Sequence, residues 1–567
     1  MHSSTSKSAC LPNDPIFTRL LQLAHDIPGI RIHDEYGIEA GYKNLLWDIL
    51  HTRDLLRQTL PNGWFDERAI LKPEMTFIGT ITYSGYYAFI SFFAILSLGG
   101  ICVPLSTIVP DESCRALDML SCTNAAYILT EPNTSEVVSS ILSQIEQTIP
   151  LHIIPMTRAS TLTKSYYTLP LQVESTLTFS HGDTCLVIGT SGTTSRSKAA
   201  AIPRRRFYAD IDLPQDHSSV YLACRPMFWI GGIRRAIIQV LRGGKVYSLQ
   251  DSRRSPADIW ECLKDHRITN LNMSAMGFSQ LRDHYVDVIQ HLPEEEQRQY
   301  VDGARNLRDM VCGGSMLSES TACFWRDITN VSIKAHYAST ELGGSATSTE
   351  CTATYIHGCI GRPLPGVVLR LSQGTFGEIL VKSPGMFTRY VGNETATNDA
   401  FDEAGFYKTG DLGRLIDKQY FFEGRANADY IRHRAGQISI AELEKHLLAL
   451  TYISEAYILP VLDYHEKAFP AALVRLSMPV QESRDIRSVD VNVNVQMLRR
   501  DLALSLQRYK LPRLLRVLRP GEEVPQTVSQ KVLRKEALKQ FFGFEDYMPL
   551  DYCVEGVEFW AGDYKDL

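Results

Sequence analysis

Residues 75–110 read MTFIGTITYSGYYAFISFFAILSLGGICVPLSTIVP, without one charged side chain. Length alone would permit a membrane-spanning helix. Gly99-Gly100 and Pro104 interrupt the run, however, and ICVPL after them has the texture of a short buried strand. The stretch therefore reads as strand (MTFIGTI), helix (YYAFISFFAIL) and strand (ICVPL), all inside a protein core. Similar apolar runs, AAYILTE and CLVIGT, return further along between helical patterns. The expected class is α/β, with sheets covered by helices.

The whole chain supports that reading. It has 567 residues, 44% hydrophobic and 22% charged, which excludes a disordered chain, a collagen-like rod and a small disulfide scaffold. Lys plus Arg number 58 against 64 Asp plus Glu, a balance that gives no sign of a nucleic-acid or membrane-surface protein. The 12 cysteines form no CxxC pair, and Cys102, Cys185 and Cys312 sit in apolar runs, as small buried hydrophobes of a reduced chain do. The opening MHSSTSKSACLPND lacks the apolar centre of a signal peptide, and the closing DYKDL is not a peroxisomal address. A cytoplasmic location without a membrane span is expected.

Texture changes late in the chain. A Gly- and Pro-rich segment, HGCIGRPLPGVVLRL (357–371), precedes the strand-like GEILVK. Beyond Gly424 the periods shorten and basic residues increase, with helices expected at AELEKHLLAL and VQMLRRDLALSLQRY. The expected division is a large lobe over 1–423 and a small one over 424–567.

Several short motifs carry chemistry. Thr190-Ser191-Gly192-Thr193-Thr194-Ser195-Arg196-Ser197-Lys198 follows the strand CLVIG; such a hydroxyl-rich loop with one lysine can wrap a polyphosphate, although a Ser/Thr-rich surface turn has the same composition. It is not the GxxxxGK[ST] loop, because Lys198 lies six residues beyond Gly192. His336-Tyr337-Ala338-Ser339-Thr340-Glu341 sets a carboxylate beside a hydroxyl at an expected strand end, a seat for magnesium or simply a solvated helix start. In Tyr407-Lys408-Thr409-Gly410-Asp411-Leu412-Gly413, an aspartate in a glycine-flanked turn can accept two ribose hydroxyls, as acidic residues of dinucleotide sites do. Gly424-Arg425 and the segment PQTVSQKVLR (525–534) complete the series.

The order of these motifs resembles the adenylate-forming superfamily of acyl- and aryl-CoA synthetases, luciferases and peptide-synthetase adenylation domains. ILSLGGICVPLS (95–106), Cys312-Gly313-Gly314-Ser315, GRPLPG (361–366), GEILVKSPGMFTRYVGN (377–393) and YKTGDLGR followed by FFEGR carry the likeness, which runs from about Phe77 to Leu538. The resemblance implies a large N-terminal lobe of several subdomains with helix-covered sheets, and a small mobile α+β C-terminal lobe. It also implies a reaction: a carboxylate attacks the α-phosphate of ATP, pyrophosphate leaves, and a thiol then displaces AMP. By the same resemblance Thr190, Ser191, Gly192, Thr193, Thr194 and Lys198 form the phosphate loop, Glu341 binds Mg2+, and Thr340 contacts the α-phosphate. Gly313, Gly314, Ser315 and Tyr337 hold adenine, Asp411 and Arg425 hold ribose, and Lys531 bridges carboxylate and phosphate during adenylation.

The chain departs from the family pattern in places. Ser195, Ser197 and Ala199 replace residues usual in the phosphate loop, Gln530 replaces the Gly before the lysine, and the hinge falls on Asn427 or Ala428. Ala435 stands where a Gly borders the thiol channel, and Trp229 where many members have a His. Trp229 is expected to cap the acyl pocket, with Gly231 and Gly232 leaving room beside it. The region lacks the Asp that holds an amino acid's amino group, so a fatty or aromatic acid with coenzyme A as acceptor is expected, in secondary metabolism. The alternatives are an acyl-AMP ligase that loads a carrier protein and a non-catalytic nucleotide-binding scaffold.

Overall fold

The computed structural model describes residues 10–83, 85–106, 113–132, 138, 150–163, 171–190, 197–249, 254–350, 355–425, 430–434, 436–463, 467–476, 493–526, 532–545, 547–549 and 552–560. Ser191, Gly192, Thr193, Thr194, Ser195, Asn427, Ala428, Ala435, Gln530 and Lys531 lie outside the described residues.

The uncharged stretch folds as a strand at Phe77–Ile81, a helix at Gly85–Ser97 and a strand at Ile101–Pro104. All 13 helix residues are buried, which explains the absence of charge without a lipid phase. The two strands pair in parallel, Phe77 beside Ile101 and Thr80 beside Pro104. Among the described residues no helix is long and apolar enough to cross a membrane.

Contacts divide the chain into two units, the first comprising Met1–Arg370, Leu380–Lys408 and Ile416–Phe421, the second Leu371–Ile379, Thr409–Leu415 and Phe422–Leu567. In the first unit a six-stranded sheet runs Ala199–Pro203, Thr184–Gly189, Ile101–Pro104, Phe77–Ile81, Tyr127–Thr130, His152–Pro155. It is parallel except where Ala199–Pro203 turns back along Thr184–Gly189. A longer sheet contains, in order, Gly344–Ser348, Lys334–Ser339, Asp309–Gly313, Asn270–Met273, Val220–Ala223, Lys245–Ser248 and Ile32–Asp34. Its central strands are parallel and Gly344–Ser348 is antiparallel. Trp260 and Trp325, both fully buried, stack 5.5 Å apart in a core that also holds Leu271, Met310 and Phe278.

The second unit is α+β. Its sheet runs Ile453–Asp463, Lys467–Leu476, Leu514–Val517, Val557–Phe559. Both faces are covered: Ile458, Ala472 and Val474 enter one core with the Ile440–Leu448 and Val495–Leu502 helices, while Leu459, Ala471 and Leu473 enter another with Arg534–Phe542. The alternation follows the strand period of two. Asp411, expected in a turn, lies instead inside the Tyr407–Ile416 strand. Local composition favoured a turn, but long-range bonds prevail: Gly410 N donates to Glu378 Oε1 (2.8 Å) and Thr409 Oγ1 to the Ile379 carbonyl (2.7 Å).

Candidate active site

The hydroxyl-rich loop leaves the end of one antiparallel strand and re-enters the sheet on its neighbour. Thr190 N donates to the Lys198 carbonyl at 2.8 Å, which closes the base of the loop. Thr190 is buried, and Ser197 N donates to Asp118 Oδ2 at 3.1 Å. The described ends of the segment, Thr190 and Lys198, are thus held by the Thr184–Gly189 and Ala199–Pro203 strands.

Lys198 is brought to Glu341 through a short segment at 387–391. Ala201 N donates to the Arg389 carbonyl (3.0 Å) and Val391 N to the Ala199 carbonyl (2.8 Å), laying the segment along the strand that follows Lys198. From its other end, Phe387 N donates to the Glu341 carbonyl at 2.8 Å. Tyr390, at the centre, points both ways: its hydroxyl donates to Glu341 Oε1 at 3.0 Å, and Lys198 Nζ lies 4.9 Å from its ring centroid. The latter is a cation–π distance. Tyr407 is hydrogen-bonded to Tyr390 and stands beside Glu341. Burial, reinforced by the Glu341 carboxylate, raises both phenols above their ordinary range, so they remain neutral donors.

Glu341 lies two residues beyond the Lys334–Ser339 strand, near the strand end at which the sequence placed it. One of its carboxylate oxygens, Oε1, accepts from the Tyr390 hydroxyl. Among the described residues no group of three or more His, Cys, Asp and Glu forms a protein cage for a metal. A lone carboxylate suits magnesium, which keeps several waters and takes substrate phosphate oxygens. Thr340 lies in the turn beyond the strand, where its carbonyl accepts from Gly343 N at 3.0 Å.

The adjoining Asp309–Gly313 strand ends at Gly313-Gly314-Ser315. Gly314 has φ of 93°, a left-handed conformation that suits glycine, with open space beside it. Ser315 Oγ accepts from Ala275 N at 3.3 Å. Tyr337 pairs with Thr347 across the Lys334–Ser339 and Gly344–Ser348 strands. Its neighbour His336 contacts Ser345 Oγ through Nδ1 at 2.8 Å. Burial, helped by the charge of Arg235, lowers the imidazole to about 3 and keeps it neutral.

In the second unit Arg425 Nε donates to Asp411 Oδ1 at 3.1 Å. The Asp411 side chain is 11% exposed and that of Arg425 43%. The two residues that the sequence paired are therefore in contact.

Trp229 caps the N-terminus of the Ile230–Leu241 helix. The space beside its two glycines is used by the chain itself. A Cβ on Gly231 would lie 2.9 Å from Arg225 Nη1, and one on Gly232 would lie 2.0 Å from the Pro226 carbonyl oxygen. The sequence reading missed Arg225 as well as Tyr390. The first was one cation in an apolar run, and the second stood unremarked inside GMFTRYVGN.

Residues 73–391 match the family model described as AMP-binding enzyme. The chain is 30% identical over 538 residues to the acyl-CoA ligase oryP of Aspergillus oryzae, covering 94% of this chain and 93% of that protein. It is 25% identical to the malonate–CoA ligase of Arabidopsis thaliana, over 78% of this chain and 74% of that one. Among solved structures, ATP-bound MatB from Rhodopseudomonas palustris superposes with a TM-score of 0.71 at 19% identity, covering 93% of this chain and 98% of that chain. The o-succinylbenzoate CoA synthetase MenE of Bacillus subtilis gives 0.68 at 20% identity, covering 91% and 96%. A family match over more than half of the chain, an acyl-CoA ligase relative along nearly all of it and a shared fold lead to one assignment: this chain belongs to the AMP-binding, adenylate-forming enzymes.

Proposed function

We propose that this enzyme converts a fatty or aromatic carboxylic acid into its CoA thioester in a pathway of secondary metabolism. The chain is an AMP-forming acid–thiol ligase. In the first half-reaction an acid oxygen forms a bond to the α-phosphorus of ATP, and the bond to the departing pyrophosphate breaks. In the second, the sulfur of CoA attacks the acyl carbon, AMP leaves with the bridging oxygen, and the thiol proton passes to solvent.

The observation that carries the assignment of roles is the meeting of Lys198 and Glu341 at Tyr390. Two anions must approach each other for adenylation, so a lysine and a cation-binding carboxylate belong at one place. Lys198 and the loop 190–194 hold the phosphates, Tyr390 aims Glu341, and the free oxygen of Glu341 holds Mg2+. When bound, the metal neutralises charge that develops on the phosphate oxygens. Gly313, Gly314, Ser315 and Tyr337 form the adenine seat, Thr340 faces the α-phosphate, and Asp411 with Arg425 takes the ribose. Lys531 has the role of bridging carboxylate and phosphate oxygens that the family resemblance implies, and Trp229 bounds the acyl pocket.

Acid-dependent exchange of labelled pyrophosphate into ATP tests the reading. Lys531→Ala is expected to retain ATP binding while exchange falls by about 10²–10³ or more. Exchange near the wild-type rate in that variant would remove Lys531 from the mechanism. Wild-type protein that binds ATP yet exchanges with no acid would identify a scaffold. Consumption of the adenylate by a phosphopantetheinylated carrier protein but not by free CoA would replace the proposed acceptor.

A further inference from the structure

The Ile230–Leu241 helix and the sheet strands beside it hold more cations than their carboxylates pair. Arg206 and Arg234 share Asp210 Oδ1, at 2.8 and 2.7 Å, and Lys334 pairs with Asp309 at 2.8 Å. Arg225 forms no ion pair with a carboxylate among the described residues, and Arg235 interacts with the Asp309 carboxylate only beyond ion-pair distance. Arg225 donates from Nη1 to Asn272 Oδ1 at 3.2 Å, and its guanidinium carbon lies 6.0 Å from the Trp229 ring centroid. A guanidinium carries five N–H donors, and one weak bond to an amide leaves most of them without a protein acceptor.

The placement of Arg225 is unfavourable in itself. It packs against Gly231 in the first turn of a helix whose N-terminus carries partial positive charge. Arg235 adds a second positive charge nearby, and burial together with Arg235 holds the Arg225 guanidinium below its ordinary range. His336, uncharged, also stands within reach of the Arg235 field. A partly buried cation cluster of this kind calls for an anion. It adjoins Trp229, the residue expected to cap the acyl pocket, and Asn272 and His336 belong to two strands of the longer sheet.

We propose that the acid activated here carries a second carboxylate at its distal end, bound between Arg225 and Arg235 beside Asn272. This inference deepens the proposed function and rests on it. The carbon skeleton lies against Trp229, one carboxylate is presented for adenylation, and the other supplies the counter-charge that Arg225 lacks. A neutral acid of equal length would leave the Arg225 guanidinium with the Asn272 amide as its one side-chain acceptor, so the pocket discriminates by charge as well as by size.

The test is pyrophosphate exchange with the intact enzyme and a dicarboxylic series from malonate to sebacate, each compared with its half methyl ester and with the straight-chain monoacid of equal length. The best diacid is expected to exceed its half ester by about 10-fold or more in kcat/KM, an effect of one charge-assisted bond pair. Arg225→Met and Arg235→Met are expected to erase that preference, so that diacid, half ester and monoacid of equal length give kcat/KM values within about 2-fold of one another. Wild-type enzyme that prefers monoacids or half esters overturns the inference without recourse to any variant. So does an equal loss for all acids with a raised KM for ATP, which would assign the arginines to nucleotide phosphates. Exchange with no acid in either series, with ATP still bound, overturns the ligase reading and this inference with it.

Discussion

Around Glu341 the fold surrounds a carboxylate with neutral phenols, whereas around Arg225 it sets guanidiniums beside one another. Tyr390 donates to Glu341 and Tyr407 supports Tyr390, so the carboxylate is oriented without losing its charge to a neighbouring cation. At Arg225 the only side-chain acceptor among the described residues is the Asn272 amide. The first arrangement orients a negative charge, and the second leaves positive charge without a carboxylate partner. Both lie in the first unit, and the Lys334–Ser339 strand serves both, with His336 toward the arginines and Glu341 just past its end.

The contrast is broken most severely at Asp210, the counter-charge of the cationic side. Its carboxyl side chain is 2% exposed and serves both Arg206 and Arg234. Asp210→Ala leaves two guanidiniums without their carboxylate and is expected to destabilise by roughly 3–5 kcal/mol. Urea unfolding measures this, and a midpoint equal to wild type would mean those charges are already solvated. On the anionic side, Tyr390→Phe removes a hydrogen bond to a charged acceptor worth about 1.5–3 kcal/mol. Exchange is expected to fall by about 10-fold or more, with a rise in the magnesium concentration needed for half-maximal rate. An unchanged magnesium response would show that the phenol does not orient Glu341.

A smaller effect separates the two regions by pH. His336 is held near 3 by burial and by Arg235, against an ordinary value of 6.5, while Arg234, Lys334 and Asp309 also face it. Between those values the unfolded chain binds more protons than the folded one, so stability rises with pH across the window. The contribution is fully present above 6.5 and is lost as acid carries the folded imidazole through about 3. His336→Gln is expected to flatten that part of the curve of thermal midpoint against pH; a slope identical to wild type would assign the acid sensitivity elsewhere. The smallest change is expected in the second unit. Arg425→Ala breaks a half-exposed pair with Asp411 and should alter stability by no more than about 1 kcal/mol. A larger loss would mean that the pair supports its strands.

The sequence reveals most where an interaction is local. The uncharged stretch 75–110 announces its strand, helix and strand, because Gly99-Gly100 and Pro104 punctuate it. Glu341 follows its strand as expected, since the apolar run before it leaves few alternatives. Tyr390 was invisible as a partner: 49 positions separate it from Glu341, and only the pairing of 387–391 with the Ala199–Pro203 strand brings them together. Arg225 drew no notice in the sequence, and Gly231 was expected to leave free space. The structure explains each by the other, because the glycine lacks the atom that the guanidinium would strike. Asp411 was misread as a turn because the bonds that hold its neighbours Thr409 and Gly410 go to Ile379 and Glu378, a strand away.

The segment 387–391 has a consequence for how ligands load. It hydrogen-bonds to the strand beyond Lys198 on one side and to Glu341 on the other, with no slack between. A ligand that tightens the lysine end alters the carboxylate end by the same free energy, and the reverse holds by linkage. Nucleotide and divalent ion are therefore expected to bind with mutual dependence, each improving the other's dissociation constant by an equal factor.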